Sequence, residues 1–139
     1  MLRVVLDPGV VIAGLISPEG APAQILRRWM AGEFQIVSSP ALIAEFISVA
    51  ERVKFRPYFS VEQAHGLADL LQTSAEFLLD EETMAEAPAD DGDAYLVHLV
   101  VSAKAFAVVT GDRGLAAHEA EGFSAMSPRS LLELLTQLP

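Results

Sequence analysis

The chain reads RVVLDPG at residues 3–9, and this stretch decides the predicted fold. Residues 4–6 form an apolar run without polar alternation, which is typical of a strand buried on both faces of a parallel sheet. Asp7 follows that run directly, and a proline and a glycine then end the strand. Since ligands of open α/β sheets bind beyond the carboxyl ends of the strands, Asp7 is a candidate site residue.

Further apolar runs alternate with helix-compatible stretches along the rest of the chain. The later predicted strands are residues 34–37, 76–79, 106–110 and 123–126, and the helices between them include residues 40–53 and 94–105. Such alternation indicates a parallel sheet covered by helices on both faces. We therefore predict an α/β fold, a three-layer α/β/α sandwich with a parallel sheet of about five strands, forming a single domain over residues 1–139.

The composition excludes several classes of protein. A hydrophobic content of 52% is sufficient for one core, and the absence of cysteine excludes disulfides and thiolate metal sites. No apolar run approaches the roughly 18 residues that span a bilayer, and Asp7 interrupts the first one, so we expect a cytoplasmic protein with no membrane segment. The net charge of −10 argues against non-specific nucleic-acid binding and is compatible with carboxylates reserved for divalent cations.

Asp112 repeats the arrangement of the opening stretch, because it follows the predicted strand 106–110 as Asp7 follows the first strand. If these two strands are neighbours where the strand order reverses, both carboxylates face the same crevice. The alternative for each residue is a turn or a helix cap, where aspartate is also favoured.

Glu45 lies in the sequence ALIAEFI, residues 41–47, where most positions three or four residues away are apolar. A carboxylate buried in such a setting needs a partner, because an unpaired buried charge costs several kcal/mol or raises the pKa. Arg52 is one candidate partner, but it is two helical turns away. A cation shared with other carboxylates would satisfy Glu45 better.

Asp93 is the last carboxylate of an acidic loop, residues 80–93, and it directly precedes an apolar helix. Helix capping is the alternative explanation for Asp93, and it is the preferred one for Asp90 and Asp91. Asp93 differs from them because it is the closest of the three to the buried run. We therefore expect it to lie near the sheet.

Four clustered carboxylates would repel one another, by about 4 kcal/mol for each pair 4 Å apart at an effective dielectric constant near 20. A hard divalent cation removes this repulsion, and ligation by oxygen alone favours Mg²⁺ or Mn²⁺ over zinc. These ions orient and activate water against a phosphodiester. The acidic residues therefore predict metal-dependent hydrolysis of a phosphodiester.

Four motifs in order resemble the PIN domain family, in particular the subgroup similar to VapC, the toxin of toxin–antitoxin pairs. They are Asp7 after the first strand, Glu45 on the helix after Ser39-Pro40, Asp93 before Ala94-Tyr95-Leu96, and Asp112 in VTGD at residues 109–112. The resemblance implies that these four acids are the metal ligands and that Thr110 supports them with its hydroxyl. It also implies Mg²⁺- or Mn²⁺-dependent endoribonuclease activity, homodimers, and a cognate protein antitoxin.

The sequence departs from the family pattern at two places. Pro8 and Gly9 follow Asp7 where the family usually has Thr-Asn or Ser-Asn, and Gly114 stands where a second aspartate is common. The alternative function is therefore a catalytically degenerate PIN-like domain that serves as a protein or RNA interaction module.

Other classes fit the residues less well. A haloacid-dehalogenase phosphatase needs a second aspartate where Gly9 stands, a receiver domain needs an acidic pair ahead of Asp7, and neither a glycine-rich phosphate loop nor a Gly-x-Ser-x-Gly elbow occurs. The three histidines have no metal-ligand spacing. The candidates for contact with RNA phosphates are Arg52, Lys54, Arg56 and Arg113.

Overall fold

The computed structural model describes residues 1–138 and contains a five-stranded sheet in which every strand is parallel to its neighbours. The strands are β1 (Arg3–Leu6), β2 (Gln35–Ser38), β3 (Glu76–Phe77), β4 (Ala107–Val109) and β5 (Ala125–Met126). The flanking helices are α1 (Pro8–Ile16), α2 (Ala21–Met30), α3 (Pro40–Ala50), α4 (Val61–Thr73), α5 (Ala94–Ala103), α6 (Arg113–Ala116) and α7 (Pro128–Gln137). The predicted α/β/α class with five parallel strands is confirmed.

The strand order is β3-β2-β1-β4-β5. After β1 the chain adds β2 and β3 on one side and then β4 and β5 on the other, so the strand order reverses between β1 and β4. Val5 pairs with Val108 and Leu6 pairs with Val109, so the carboxyl ends of the two strands are adjacent. The backbone N–H of Asp7 continues the ladder and donates to the carbonyl of Val109 at 2.9 Å. The expectation that these strands are neighbours is therefore confirmed.

The central strand is buried because both of its faces carry helices. Val4 and Val5 are fully buried, and α5 packs against both β1 and β4. The α5 residues that face the sheet include Leu96 and Val100, which are also buried. An uninterrupted apolar strand is the pattern that such two-sided burial requires.

The helices α1 and α2 form a bent pair at the start of the chain. Val11 of α1 and Ile25 of α2 are fully buried in the common core. Among residues 1–138, no single helix is both long enough and apolar enough to cross a membrane; the pair α1–α2, bent by 100°, passes only on length and composition.

Two helices end earlier than the sequence predicts. The predicted helix 40–53 stops at Ala50, where the guanidinium of Arg56 donates to the carbonyl of Ala50 and a 3₁₀ turn, Val53–Phe55, follows. The predicted helix 94–105 stops at Ala103, because Lys104 adopts a left-handed conformation with φ 54° and closes the last turn. Left-handed residues commonly end helices in this way.

The strands at the two sheet edges are shorter than predicted. Residues 76–79 give only Glu76–Phe77, and residues 123–126 give only Ala125–Met126. Each edge strand has a partner on one side only, so fewer backbone hydrogen bonds hold its ends. Arg3 of β1 anchors β3 through two bonds to the carboxylate of Glu76, at 2.7 and 2.8 Å.

Candidate active site

Asp7 joins the end of β1 to the start of α1. One carboxylate oxygen accepts from the backbone N–H of Gly9 at 3.0 Å and caps the helix, while Pro8 fills its first position. The other oxygen accepts from the hydroxyl of Thr110 at 2.7 Å. Asp7 is therefore a helix cap, as the alternative held, but it is also bonded to the end of the neighbouring strand.

Thr110 connects the two strand-end carboxylates. Its side chain is only 2% exposed, and its hydroxyl accepts from the backbone N–H of Asp112 at 3.0 Å while it donates to Asp7. Asp112 in turn caps α6, with its carboxylate accepting from the N–H of Gly114 at 3.2 Å. Thr110 thus lies beside Asp7 as the resemblance implies, and its role toward a cation stays a prediction.

Replacing Thr110 with valine, which has nearly the same shape, is expected to lower the free energy of unfolding by about 1–3 kcal/mol. The variant leaves the N–H of Asp112 without its acceptor and the carboxylate of Asp7 with one donor fewer. Urea unfolding of the variant measures the loss. Thr110→Ser keeps the hydroxyl and is the control, so an equal loss in both variants would contradict the hydrogen-bond explanation.

Asp93 has the most perturbed carboxyl group of the site. Burial raises the pKa of Asp93 to about 6, helped by the charges of Asp7, Asp90 and Asp112 and by a hydrogen bond with Asp112. Its side chain makes no capping bond to α5, although it occupies the capping position. Asp90 does cap, accepting from the N–H of Gly92 at 2.9 Å, which agrees with its predicted role. The capping alternative therefore fails for Asp93, whose carboxylate lies near those of Asp7 and Asp112.

Glu45 lies outside the buried stripe of α3, which consists of Leu42, Phe46 and Ala50. The expectation that Glu45 sits in a buried apolar setting is wrong, because its side chain is exposed. The charge of Glu45 nevertheless helps to raise the pKa of Tyr95, as do the charges of Asp7, Asp93 and Asp80.

Sequence reasoning missed two residues that lie among these acids. The hydroxyl of Tyr95 is buried and has no hydrogen-bond partner within residues 1–138, and its pKa is raised by burial and by the charges of Asp7, Glu45, Asp93 and Asp80. Asp80, which lies far from α3 in sequence, accepts from the N–H of Ala41 in the first turn of that helix at 2.8 Å. The available signal was a tyrosine in a mostly apolar helix, because a buried tyrosine hydroxyl usually needs a partner.

Comparison with known proteins identifies the family. The model of the PIN domain family matches residues 3–114, a range that contains all four acids. The chain belongs to the PIN domain family. It is also 25% identical over 114 residues to the uncharacterized protein MJ1680 of Methanocaldococcus jannaschii, and the match covers 82% of this chain and 73% of that protein. PIN domains are generally nucleases, so the family indicates a nuclease.

The PIN domain of this chain offers a donor set that suits a hard cation. Carboxylates are the ligands that Mg²⁺ and Mn²⁺ prefer, and the charges of Asp7, Asp90 and Asp112 add to the effect of burial in raising the pKa of Asp93. In the part of the chain that is described, residues 1–138, no three acidic or histidine side chains are grouped closely enough to hold an ion as they stand. Asp7 and Asp112 cap helices, and repulsion opposes closer approach of the uncompensated charges. The residue types therefore fit the cation, although their side chains are not gathered around one position.

The four basic residues predicted to contact RNA divide into two kinds, exposed and structurally engaged. Arg52, Lys54 and Arg113 are exposed. Arg56 instead donates to the carbonyl of Ala50 and lies over the ring of Phe59, with its centre 5.3 Å from the ring centroid. Arg56 thus closes the end of α3, which gives it a structural role.

Proposed function

We propose that this PIN domain is a Mg²⁺- or Mn²⁺-dependent endoribonuclease and the toxin of a toxin–antitoxin pair. The observation that carries the catalytic part is that Asp7 and Asp112 follow the adjacent ends of β1 and β4 and are linked through the hydroxyl of Thr110. The raised pKa of Asp93, caused first by burial and then by the charges of Asp7, Asp90 and Asp112, supports it. Neighbouring carboxylates whose charges disfavour one another are the groups that a divalent cation would draw together.

In this proposal Asp7, Glu45, Asp93 and Asp112 hold one or two cations. When bound, Mg²⁺ or Mn²⁺ supplies Lewis-acid stabilisation of the charge that develops on the phosphodiester and lowers the pKa of water. The protein fixes the ligands: Thr110 orients the carboxylate of Asp7, and the start of α6 orients that of Asp112. Since Glu45 is exposed, it can close over an ion from the solvent side.

The RNA phosphates need cationic contacts that the net charge of −10 does not supply overall. Arg113 follows Asp112 directly and is exposed, so it is the proposed contact nearest to the reaction. Arg52 and Lys54 are proposed as more distant contacts beyond the end of α3. Arg56 is the weakest of the predicted RNA contacts, because its guanidinium is engaged with Ala50.

The test is cleavage of end-labelled single-stranded RNA by the purified chain in Mn²⁺ or Mg²⁺. We expect cleavage that requires the cation, stops with a chelator and is lost in Asp112→Asn, because asparagine keeps the capping acceptor for Gly114 while it removes the charge. Cleavage that persists in the chelator would contradict metal dependence.

The toxin role rests on the resemblance to VapC, as do the homodimer, the cognate protein antitoxin and the cytoplasmic location. A short reading frame immediately upstream that encodes a small DNA-binding protein would support this part of the proposal. Its absence would leave a nuclease of another role, because the chemistry of the acids does not depend on an antitoxin.

A degenerate PIN domain that binds protein or RNA is the second candidate. It is favoured by the two glycines that replace polar family residues: a Cβ added at Gly9 would lie 3.6 Å from a carboxylate oxygen of Asp7, and one at Gly114 would lie 3.7 Å from Asp112. Both positions thus have room for a Cβ atom, so the glycines are not required by close packing. Millimolar Mn²⁺ separates the two functions, because only a chain with a working site gains thermal stability from a cation that binds the folded state.

A further inference from the structure

The hydroxyl of Tyr95 is an unexplained polar group in the candidate site. It is buried without a hydrogen-bond partner within residues 1–138, although the charges of Asp7, Glu45, Asp93 and Asp80 all reach it. Tyr95 and Asp80 also line an open cleft of about 270 Å³. A buried hydroxyl without a partner costs free energy, so a native protein that retains one commonly has a use for it.

The neighbouring carboxylates differ in what they can still accept. Both oxygens of Asp7 already accept, from Gly9 and from Thr110. Asp80 accepts from the N–H of Ala41, and the carboxylate of Asp93 is disfavoured by burial and by the charges of Asp7, Asp90 and Asp112. Glu45 is exposed, and its side chain is one methylene longer than that of an aspartate, so it is the acid most able to move.

We infer that Tyr95 is a further positioning residue of this site, whose hydroxyl donates to the carboxylate of Glu45 when a divalent cation is bound. The inference rests on the proposed function, because the cation supplies the attraction that draws Glu45 inward. Carboxylates that ligate metals are themselves hydrogen-bonded, and loss of such a partner typically weakens metal binding by about 10–100-fold. Tyr95 is thereby assigned to the site through Glu45.

The test substitutes Tyr95→Phe in the full chain and measures two quantities, Mn²⁺ affinity by titration calorimetry and thermal stability in a chelator. We expect Mn²⁺ binding about tenfold weaker, with metal-free stability equal to or above that of the wild type, because the lost hydroxyl has no partner there. The control is Tyr58→Phe, which removes the same atom from the other tyrosine of the chain, an exposed one. It should change neither quantity.

A second background tests the assignment to Glu45. In Glu45→Asp, whose shorter side chain holds its carboxylate farther from Tyr95, Tyr95→Phe should weaken Mn²⁺ binding by less than about twofold, since residues that act through one contact are not additive. An equal effect in both backgrounds would overturn the role through Glu45. Unchanged Mn²⁺ affinity in Tyr95→Phe, or lower metal-free stability, would overturn the inference alone. A wild-type chain that binds no Mn²⁺ would overturn the proposed function as well.

Discussion

Asp7→Asn is expected to lower RNA cleavage in Mn²⁺ by at least about a hundredfold, because loss of one charged ligand removes several kcal/mol of transition-state stabilisation. The fold should be retained. Asparagine is as good a helix cap as aspartate, so its oxygen can still accept from Gly9, and its amide can still hydrogen-bond Thr110. The measurement is the initial cleavage rate of labelled RNA, with the melting temperature recorded on the same samples.

The matched control for Asp7→Asn is Asp69→Asn, which removes the same charge from an exposed position on α4. It should cleave at the wild-type rate, since it leaves the strand ends unchanged. Equal cleavage by wild type and Asp7→Asn would mean that a contaminating ribonuclease cleaves the RNA. A large drop in melting temperature for Asp7→Asn would mean that capping, rather than charge, explains the loss.

The strand-end residues were predictable from the sequence because their position depends on local order alone. An apolar run followed by a carboxylate occurs twice, at Asp7 and at Asp112, and parallel strands bring their carboxyl ends to one edge. That β1 pairs with β4 was only a condition at that stage, and the structure shows the pairing. The hydrogen bonds that link the two residues could not be read from the sequence. They are made by the buried hydroxyl of Thr110, which donates to Asp7 and accepts from the N–H of Asp112.

The predicted burial of Glu45 is wrong because, of the residues three or four positions away from it, only Leu42 is buried. The buried stripe of α3 runs through Leu42, Phe46 and Ala50, which are spaced by four residues. Glu45 precedes Phe46 by one residue and is therefore rotated by about 100° away from that stripe. Its proximity to the other acids depends on how α3 and α5 pack, and a single helix pattern does not determine that.

The missing cap at Asp93 and the buried hydroxyl of Tyr95 could not be predicted for a related reason. Aspartate before an apolar helix normally caps it, and tyrosine in such a helix normally packs in the core. Both residues instead lie where groups distant in sequence meet: the charges of Asp7 and Asp112 act on Asp93, and those of Asp7 and Glu45 act on Tyr95. Departures from local rules often mark functional sites in this way.

Asp93→Asn is expected to lower the rate of RNA cleavage as much as Asp7→Asn does, but to stabilise the metal-free protein at neutral pH. The pKa of Asp93 is raised from its ordinary 3.8 to about 6 in the folded chain. The contribution of Asp93 to the stability of the wild type is therefore fully present below pH 3.8, where the carboxyl is protonated. It is lost as the pH rises through 6 and the carboxyl becomes charged. After allowance for partial exposure to solvent, the loss is on the order of 1–2 kcal/mol.

Urea unfolding in a chelator at pH 4 and pH 7.5 measures this difference. Asparagine carries no charge for burial and the charges of Asp7 and Asp112 to disfavour, so the variant should exceed the wild type in stability at pH 7.5 and match it at pH 4. Mn²⁺ should reverse the order at pH 7.5, because only the wild type regains the carboxylate as a ligand. Asp69→Asn controls for net charge. Equal stability of Asp93→Asn and wild type at both pH values would show that neither burial nor the neighbouring acids disfavour the Asp93 carboxylate, and the pKa of Asp93 would no longer support a shared cation.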